Sequence, residues 1–180
     1  MLMRLISRQL GLLFFSMIIL GLFFSCQNNE NPEISVPVTD WESLTVKDLA
    51  LDSLFFGKTY LPVYSHIYHC YDNQVFDLTI TVSIRNVSMS DSIFIMTADY
   101  YDTDGDNIRQ YIKNPVCLKP METVEIIIVE DDTDGGSGAN FMFEWGIKDG
   151  ENPPLFEAVM ISTYGQQGLS FTTRGVNVND

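Results

Sequence analysis

Ser137 stands in the run Gly135-Gly136-Ser137-Gly138-Ala139, one position short of the Gly-x-Ser-x-Gly elbow that presents a serine hydroxyl for nucleophilic attack. The fifth position is Ala139, and both histidines, His66 and His69, precede the serine, whereas that elbow is followed by its acid and then its histidine. Chain order varies among folds that carry a triad, but the run then reads equally as a glycine loop between strands. Metal binding through histidine meets a geometric obstacle. His66 and His69 are an odd number of residues apart, so on a strand they point to opposite faces and one zinc could not easily take both, whereas a turn between them would restore the geometry. Tyr64 and Tyr68 share the face of His66 and suggest an aromatic patch instead. Asp102, Asp104 and Asp106 recur at alternate positions, and Glu130, Asp131, Asp132 and Asp134 form a second acidic cluster. Calcium wants roughly six to eight oxygens, which two such loops at one end of a domain would supply jointly. Gly105 comes too early for a calcium hand, however, and Lys113 stands at the twelfth position where a glutamate belongs. Solvated hairpin turns are the alternative reading.

Three cysteines carry separate meanings. Cys26 closes a leader: Arg4 and Arg8, an apolar stretch from Leu10 to Phe24, then Ser25-Cys26, the arrangement of a secretory signal with a positive start and an apolar middle. The run Phe23-Phe24-Ser25-Cys26 resembles a bacterial lipobox, which implies cleavage before Cys26 and diacylation of its thiol. A membrane-spanning anchor needs about 20 apolar residues, and this stretch is shorter and ends in Gln27-Asn28-Asn29-Glu30-Asn31. An exported chain meets an oxidising compartment, so a disulfide between Cys70 and Cys117 is permitted, while two free cysteines acting as small hydrophobes is the other outcome.

Charge narrows the partners. Removing a leader of residues 1–25 takes away both of its arginines, and the formal charge moves from −14 to −16. The remaining bases are too scattered to track a phosphate backbone, so nucleic acid is not an expected partner. The length left is that of one domain with a tether.

The elements that must position these groups read as strands. Residues 26–39 are polar, hold two prolines and make a tether. Residues 40–56 are expected to include a short helix capped by Asp40. From there the pattern has period two: Phe76, Leu78, Ile80, Val82 and Ile84 alternate with Asp77, Thr79, Thr81, Ser83 and Arg85. Further strands are expected over 59–70, 92–101, 108–112, 122–130, 141–147, 156–163 and 169–178, with Asp104-Gly105 marking a hairpin. About eight short strands with turn punctuation predict an all-β, immunoglobulin-like two-sheet sandwich over residues 57–178.

Several blocks in order resemble the bacterial family DUF3124: residues 60–68, Ser83-Ile84-Arg85-Asn86, Asp99 to Gly105, Asp134 to Phe141 and Ser170 to Gly175. The resemblance covers roughly residues 57–176 and implies an exported envelope β-domain without implying a reaction. The Asn-rich, acidic start of the mature chain is similar to the surface-export signals of Bacteroidota lipoproteins. The expected protein is therefore a lipid-anchored module of the bacterial outer membrane, on its periplasmic or its surface-exposed face, that binds an envelope protein or a glycan, or has a structural role, without catalysis. Its candidate binding patch is Tyr64, His66 and Tyr68 with Asp134, Ser137, Asn140 and Arg174. Two other functions compete, a calcium-dependent binding module and a hydrolase of an envelope polymer that would use acids such as Glu130, Asp132 and Glu144. No cofactor other than calcium is expected.

Overall fold

Alternating side chains along each strand leave one apolar face per sheet, and two such faces close on each other here. The computed structural model describes residues 39–47, 53–148, 152–164 and 167–178. All described residues belong to one compact unit, Pro37–Asp180. The expected leader, Cys26 and nearly all of the expected tether lie outside the described residues. Among the described residues no helix is long and apolar enough to cross a membrane.

One helical turn, α1 (Trp41–Leu44), precedes twelve described strands: β1 (Phe55–Pro62), β2 (His66–His69), β3 (Tyr71–Asp77), β4 (Thr79–Arg85), β5 (Ile93–Tyr101), β6 (Asn107–Ile112), β7 (Val116–Leu118), β8 (Thr123–Ile128), β9 (Asn140–Ile147), β10 (Leu155–Tyr164), β11 (Gln167–Arg174) and β12 (Val176–Val178). The first sheet runs β12-β1-β9-β5-β6, with β7 also on β5; the second runs β11-β10-β4-β8; β2 and β3 form a separate hairpin. The fold is the expected all-β sandwich. Its chain passes from one sheet to the other between β4 and β5 and between β8 and β9, as B–C and E–F do in immunoglobulin domains.

The excess over about eight strands has local causes. The run expected as one strand over 76–85 parts at Leu78, whose N–H bonds the Ser65 carbonyl, so that β3 joins the hairpin and β4 the second sheet, and β7 is an added strand on β5. The stretch expected as one strand over 59–70 breaks at Val63-Tyr64-Ser65, where the backbone turns to bond Ala139 and Gly136. That over 169–178 breaks at Gly175, whose N–H bonds the Phe156 carbonyl, so that β11 and β12 join different sheets. The helix is shorter than expected. Asp40 caps it by accepting from the Ser43 N–H, but Thr45 already pairs with Val116 and the Val46 N–H bonds the Pro115 carbonyl. These β-branched residues take extended partners instead of continuing the helix.

Leu61, Ile95, Ala98, Phe141, Phe143 and Trp145 of the first sheet meet Ile80, Val82, Ile84, Val124, Ile126, Phe156 and Met160 of the second, all buried. Removing this apolar surface from water is the main stabilising term. A column of rings runs through it: Tyr100 to Phe141 at 4.8 Å, Phe141 to Phe143 at 5.4 Å and Phe143 to Phe156 at 4.3 Å between centroids. The Trp145 indole N–H is satisfied by Thr59 Oγ1 at 2.9 Å, and that hydroxyl donates onward to Asn177.

Register fixes which connections share an end. Phe55 pairs with Ile147, Ile93 with Leu118, and Arg85 with both Leu155 and Thr123, so connections 86–92, 119–122 and 148–154 leave together. Residues 63–65, 102–106 and 129–139 leave the opposite end with the β2–β3 hairpin, and this is called the loop end below. Buried Asn86 stitches the first group: its Nδ2 lies 2.7 Å from the Asp91 carbonyl, 3.1 Å from that of Leu118 and 2.9 Å from that of Lys119. Its Oδ1 accepts from the Ser88 N–H.

Candidate functional site

The loop end gathers three segments far apart in sequence. After β5, Asp102 folds the turn onto itself: its carboxylate accepts from the N–H groups of Asp104 and Asp106, and Gly105, at φ +88°, takes the left-handed position that a β-carbon would oppose. Thr103, inside that turn, reaches the second acidic loop. Its hydroxyl donates to the Gly135 carbonyl at 3.1 Å and accepts from the Gly138 N–H at 2.9 Å. The break between β1 and β2 adds the third segment, with Val63 and Ser65 donating their N–H groups to Ala139 and Gly136. The Ser65 hydroxyl meets the buried Tyr100 hydroxyl at 3.0 Å. Gly135 packs so closely here that a β-carbon on it would lie 1.9 Å from the Tyr100 hydroxyl.

Arg109 of β6 clasps the acidic loop. Its guanidinium donates to Asp132 Oδ2 at 2.6 Å and to the Tyr111 hydroxyl at 2.8 Å, and stands 3.7 Å from the Asp134 carboxylate. The hydrogen bond to Asp132 is the largest of the effects that raise its pKa. Burial pushes the phenols of Tyr100 and Tyr111 upward, against the lowering effect of their hydrogen bonds to Ser65 and Arg109 respectively. Asp102, Thr103, Ser65, Tyr100, Arg109 and Tyr111 are thus held by their own surroundings, while one buried oxygen, Asp132 Oδ1, has no hydrogen-bond partner.

The hairpin differs. His66 and Tyr68 meet edge to face at 5.8 Å, while His69 stacks on Phe76 at 3.9 Å. The tyrosines face solvent, Tyr68 at 59% and Tyr71 at 70% exposure. Tyr64 does not join them, because the break after β1 turns it against Phe171 of β11, ring to ring at 5.7 Å.

Of the candidate patch, Tyr64, His66, Tyr68, Asp134, Ser137 and Asn140 all belong to the loop end, and Arg174 does not. Arg174 pairs in register with Glu157 and lies beside Pro153 and Asn152, toward the other end. Ser137 sits in a 3₁₀ turn, Gly136–Gly138, with no hydrogen bond to either histidine or to a carboxylate among the described residues. The acids weighed for hydrolysis are engaged apart from one another, Asp132 with Arg109 and Glu144 with Lys58 at 3.5 Å on the outer face of the first sheet. Asp102, Asp104 and Asp106 all lie in the turn after β5. Among the described residues no three side chains of His, Cys, Asp or Glu gather as metal donors, since Asp102 is engaged by its own turn. Of the two outcomes open for Cys70 and Cys117, the structure has the free one, with Cys70 exposed at the hairpin bend with φ 57° and Cys117 on β7 opposite Phe94.

Residues 57–178 match the model of a family described as protein of unknown function, DUF3124. The chain belongs to the DUF3124 family. No curated protein matches it. Among solved structures, the crystal structure of Thermotoga maritima 1070 is similar at 12% identity and a TM-score of 0.43, covering 67% of this chain and 92% of that one. The geometry explains what the DUF3124-like blocks do here. Ser65, Tyr100, Thr103, Gly135, Gly136 and Ala139, drawn from three of those blocks, are the residues that lock the loop end together. Sequence reading placed Arg109 only among scattered bases. The alternation Arg109-x-Tyr111, which puts both on one side of β6, was the signal available.

Proposed function

We propose that the protein is a lipid-anchored module of the bacterial envelope, attached to the outer membrane through Cys26, that binds a partner at its loop end and catalyses no reaction. The observation that carries this reading is a contrast within that end: Ser65 is held by Tyr100, Thr103 by the Gly135–Gly138 backbone, Asp102 by its own turn and Asp132 by Arg109, while the hairpin turns Tyr68 and Tyr71 outward. A scaffold that is rigid underneath and aromatic on top favours binding, because exposed aromatic anchors on a fixed base concentrate affinity with little ordering penalty. The acidic turns beside it favour a neutral or basic partner, an envelope protein or glycan, over a phosphate polymer.

Palmitate labelling in growing cells tests the anchor, with Cys26→Ala as control. A photocrosslinking residue at position 68 tests the surface, and the expected product is a discrete adduct that disappears in Tyr71→Ala. Unchanged capture after removal of both tyrosines, or labelling of Ser137 by a fluorophosphonate, would refute the reading.

A further inference from the structure

The end opposite the acidic loops has another chemistry. Phe55 opens β1 at 61% exposure, and the two connections beside it carry Met89 at 88% and Met121 at 65%. These side chains are held outward by a rigid frame. Asn86 binds both connections together, the Met121 N–H bonds the Ser88 carbonyl at 3.1 Å, and Met121 occupies φ 62°. A non-glycine residue keeps that left-handed conformation only where its surroundings enforce it. Cations flank the apolar tips: Lys119 two residues before Met121, and Lys148 beside Ile147, the register partner of Phe55. Both are exposed, and neither joins an ion pair among the described residues. Asp91 and Glu122 of the same two loops accept from the Ser90 hydroxyl and the Lys119 N–H and keep their charge beside the lysines. Asp149 and Glu151 belong to the third connection, outside the described residues.

We propose that this end is a membrane-docking surface for the phospholipid bilayer. Phe55, Met89 and Met121 enter the boundary between headgroups and acyl chains, and Lys119 and Lys148 lie at the phosphates, as apolar side chains flanked by cations do at interfaces. The tether keeps the domain beside the bilayer, and the unequal charge of its two ends sets which one faces it. The loop end carries Asp102, Asp104, Asp106, Glu130, Asp131, Asp132 and Asp134 against Arg109, whereas here Lys119 and Lys148 stand among fewer carboxylates, so lipid phosphates repel the loop end more strongly and turn the hairpin outward. The inference rests on anchoring through Cys26. The chain between Cys26 and Thr39 spans at most about 45 Å, enough for the domain to lie against the lipid without constraint.

The test is methionine footprinting. Acylated protein is reconstituted into vesicles of phosphatidylethanolamine and phosphatidylglycerol, flotation verifies attachment, and hydrogen peroxide oxidation is read by mass spectrometry against the unacylated mature chain in buffer. Burial at the interface removes Met89 and Met121 from the aqueous oxidant, and their oxidation should slow about fivefold or more while half-buried Met142 on β9 is unchanged. Equal rates on vesicles that carry the protein overturn the proposal. So does protection that appears in buffer as protein concentration rises, which would assign the face to a second copy. Failure to float refutes the anchoring reading instead; the unacylated chain mixed with the same vesicles then decides the docking face, retained if both methionines are protected and lost if they are not.

Discussion

Gly135→Ala is the sharpest probe of the loop end. The added β-carbon would stand 1.9 Å from the Tyr100 hydroxyl and 2.7 Å from the Ala139 β-carbon. Neither neighbour has room to move, because Tyr100 is buried against Phe141 at 4.8 Å and Ala139 is tied to Val63. Overpacking of this kind costs about 1–3 kcal/mol, and displacing the phenol also breaks its bond to Ser65, about 1 kcal/mol more. A total near 3 kcal/mol lowers the melting temperature by on the order of 10 °C for a domain of this size. Urea unfolding of the mature chain measures it, with an unchanged slope showing that only stability has moved. Tyr100→Phe removes the nearest clashing atom, so the double variant should be more stable than the sum of the two single losses by about 1 kcal/mol. A Gly135→Ala loss below about 0.5 kcal/mol, or strict additivity with Tyr100→Phe, would refute the packing described.

Asn86→Asp puts a carboxylate where an amide donates toward three carbonyl oxygens, and should lose about 3 kcal/mol at pH 7 with partial recovery near pH 4 as the group protonates, read by urea titration at both pH values. Alkali should destabilise the fold: Tyr100 and Tyr111 have folded-state pKa values raised by burial, so their contribution is intact below the unfolded value of about 10 and is lost as pH climbs through the folded ones. Thermal melts should accordingly be flat from pH 7 to 9 and fall above pH 10. Both thiols of the non-reduced mature domain should react with maleimide, exposed Cys70 before half-buried Cys117; a single unreactive pair would restore the disulfide.

The strands with clean alternation were legible because one buried face imposes period two, as for Ile80, Val82 and Ile84. Their breaks were not. Tyr60 to Tyr68 looks continuous as a string of β-formers, and only the hydrogen bonds of Val63 and Ser65 to a loop more than seventy residues away interrupt it. The same long-range pairing hid the site. Ser137 and the aspartates attracted attention by type, whereas Thr103, Ser65 and Gly135 matter through partners that no local pattern specifies. Outward positions of the second sheet are not all polar, since Ile127, Val159 and Ile161 stand exposed there. Strand propensity and burial are separate demands on a sequence.

Thr39 has a role out of proportion to its size. Its hydroxyl donates to the Glu125 carbonyl at 2.8 Å and accepts from the same residue's N–H at 3.4 Å, on the side of β8 that carries no further strand among the described residues. One side chain thereby occupies the adhesive groups at the middle of an open sheet border, next to exposed Ile127 and Val129. A shortened recombinant form beginning after this threonine would offer that border to its own kind, and filament growth or precipitation in such a preparation would report the missing guard and not a defect of the barrel-free core behind it.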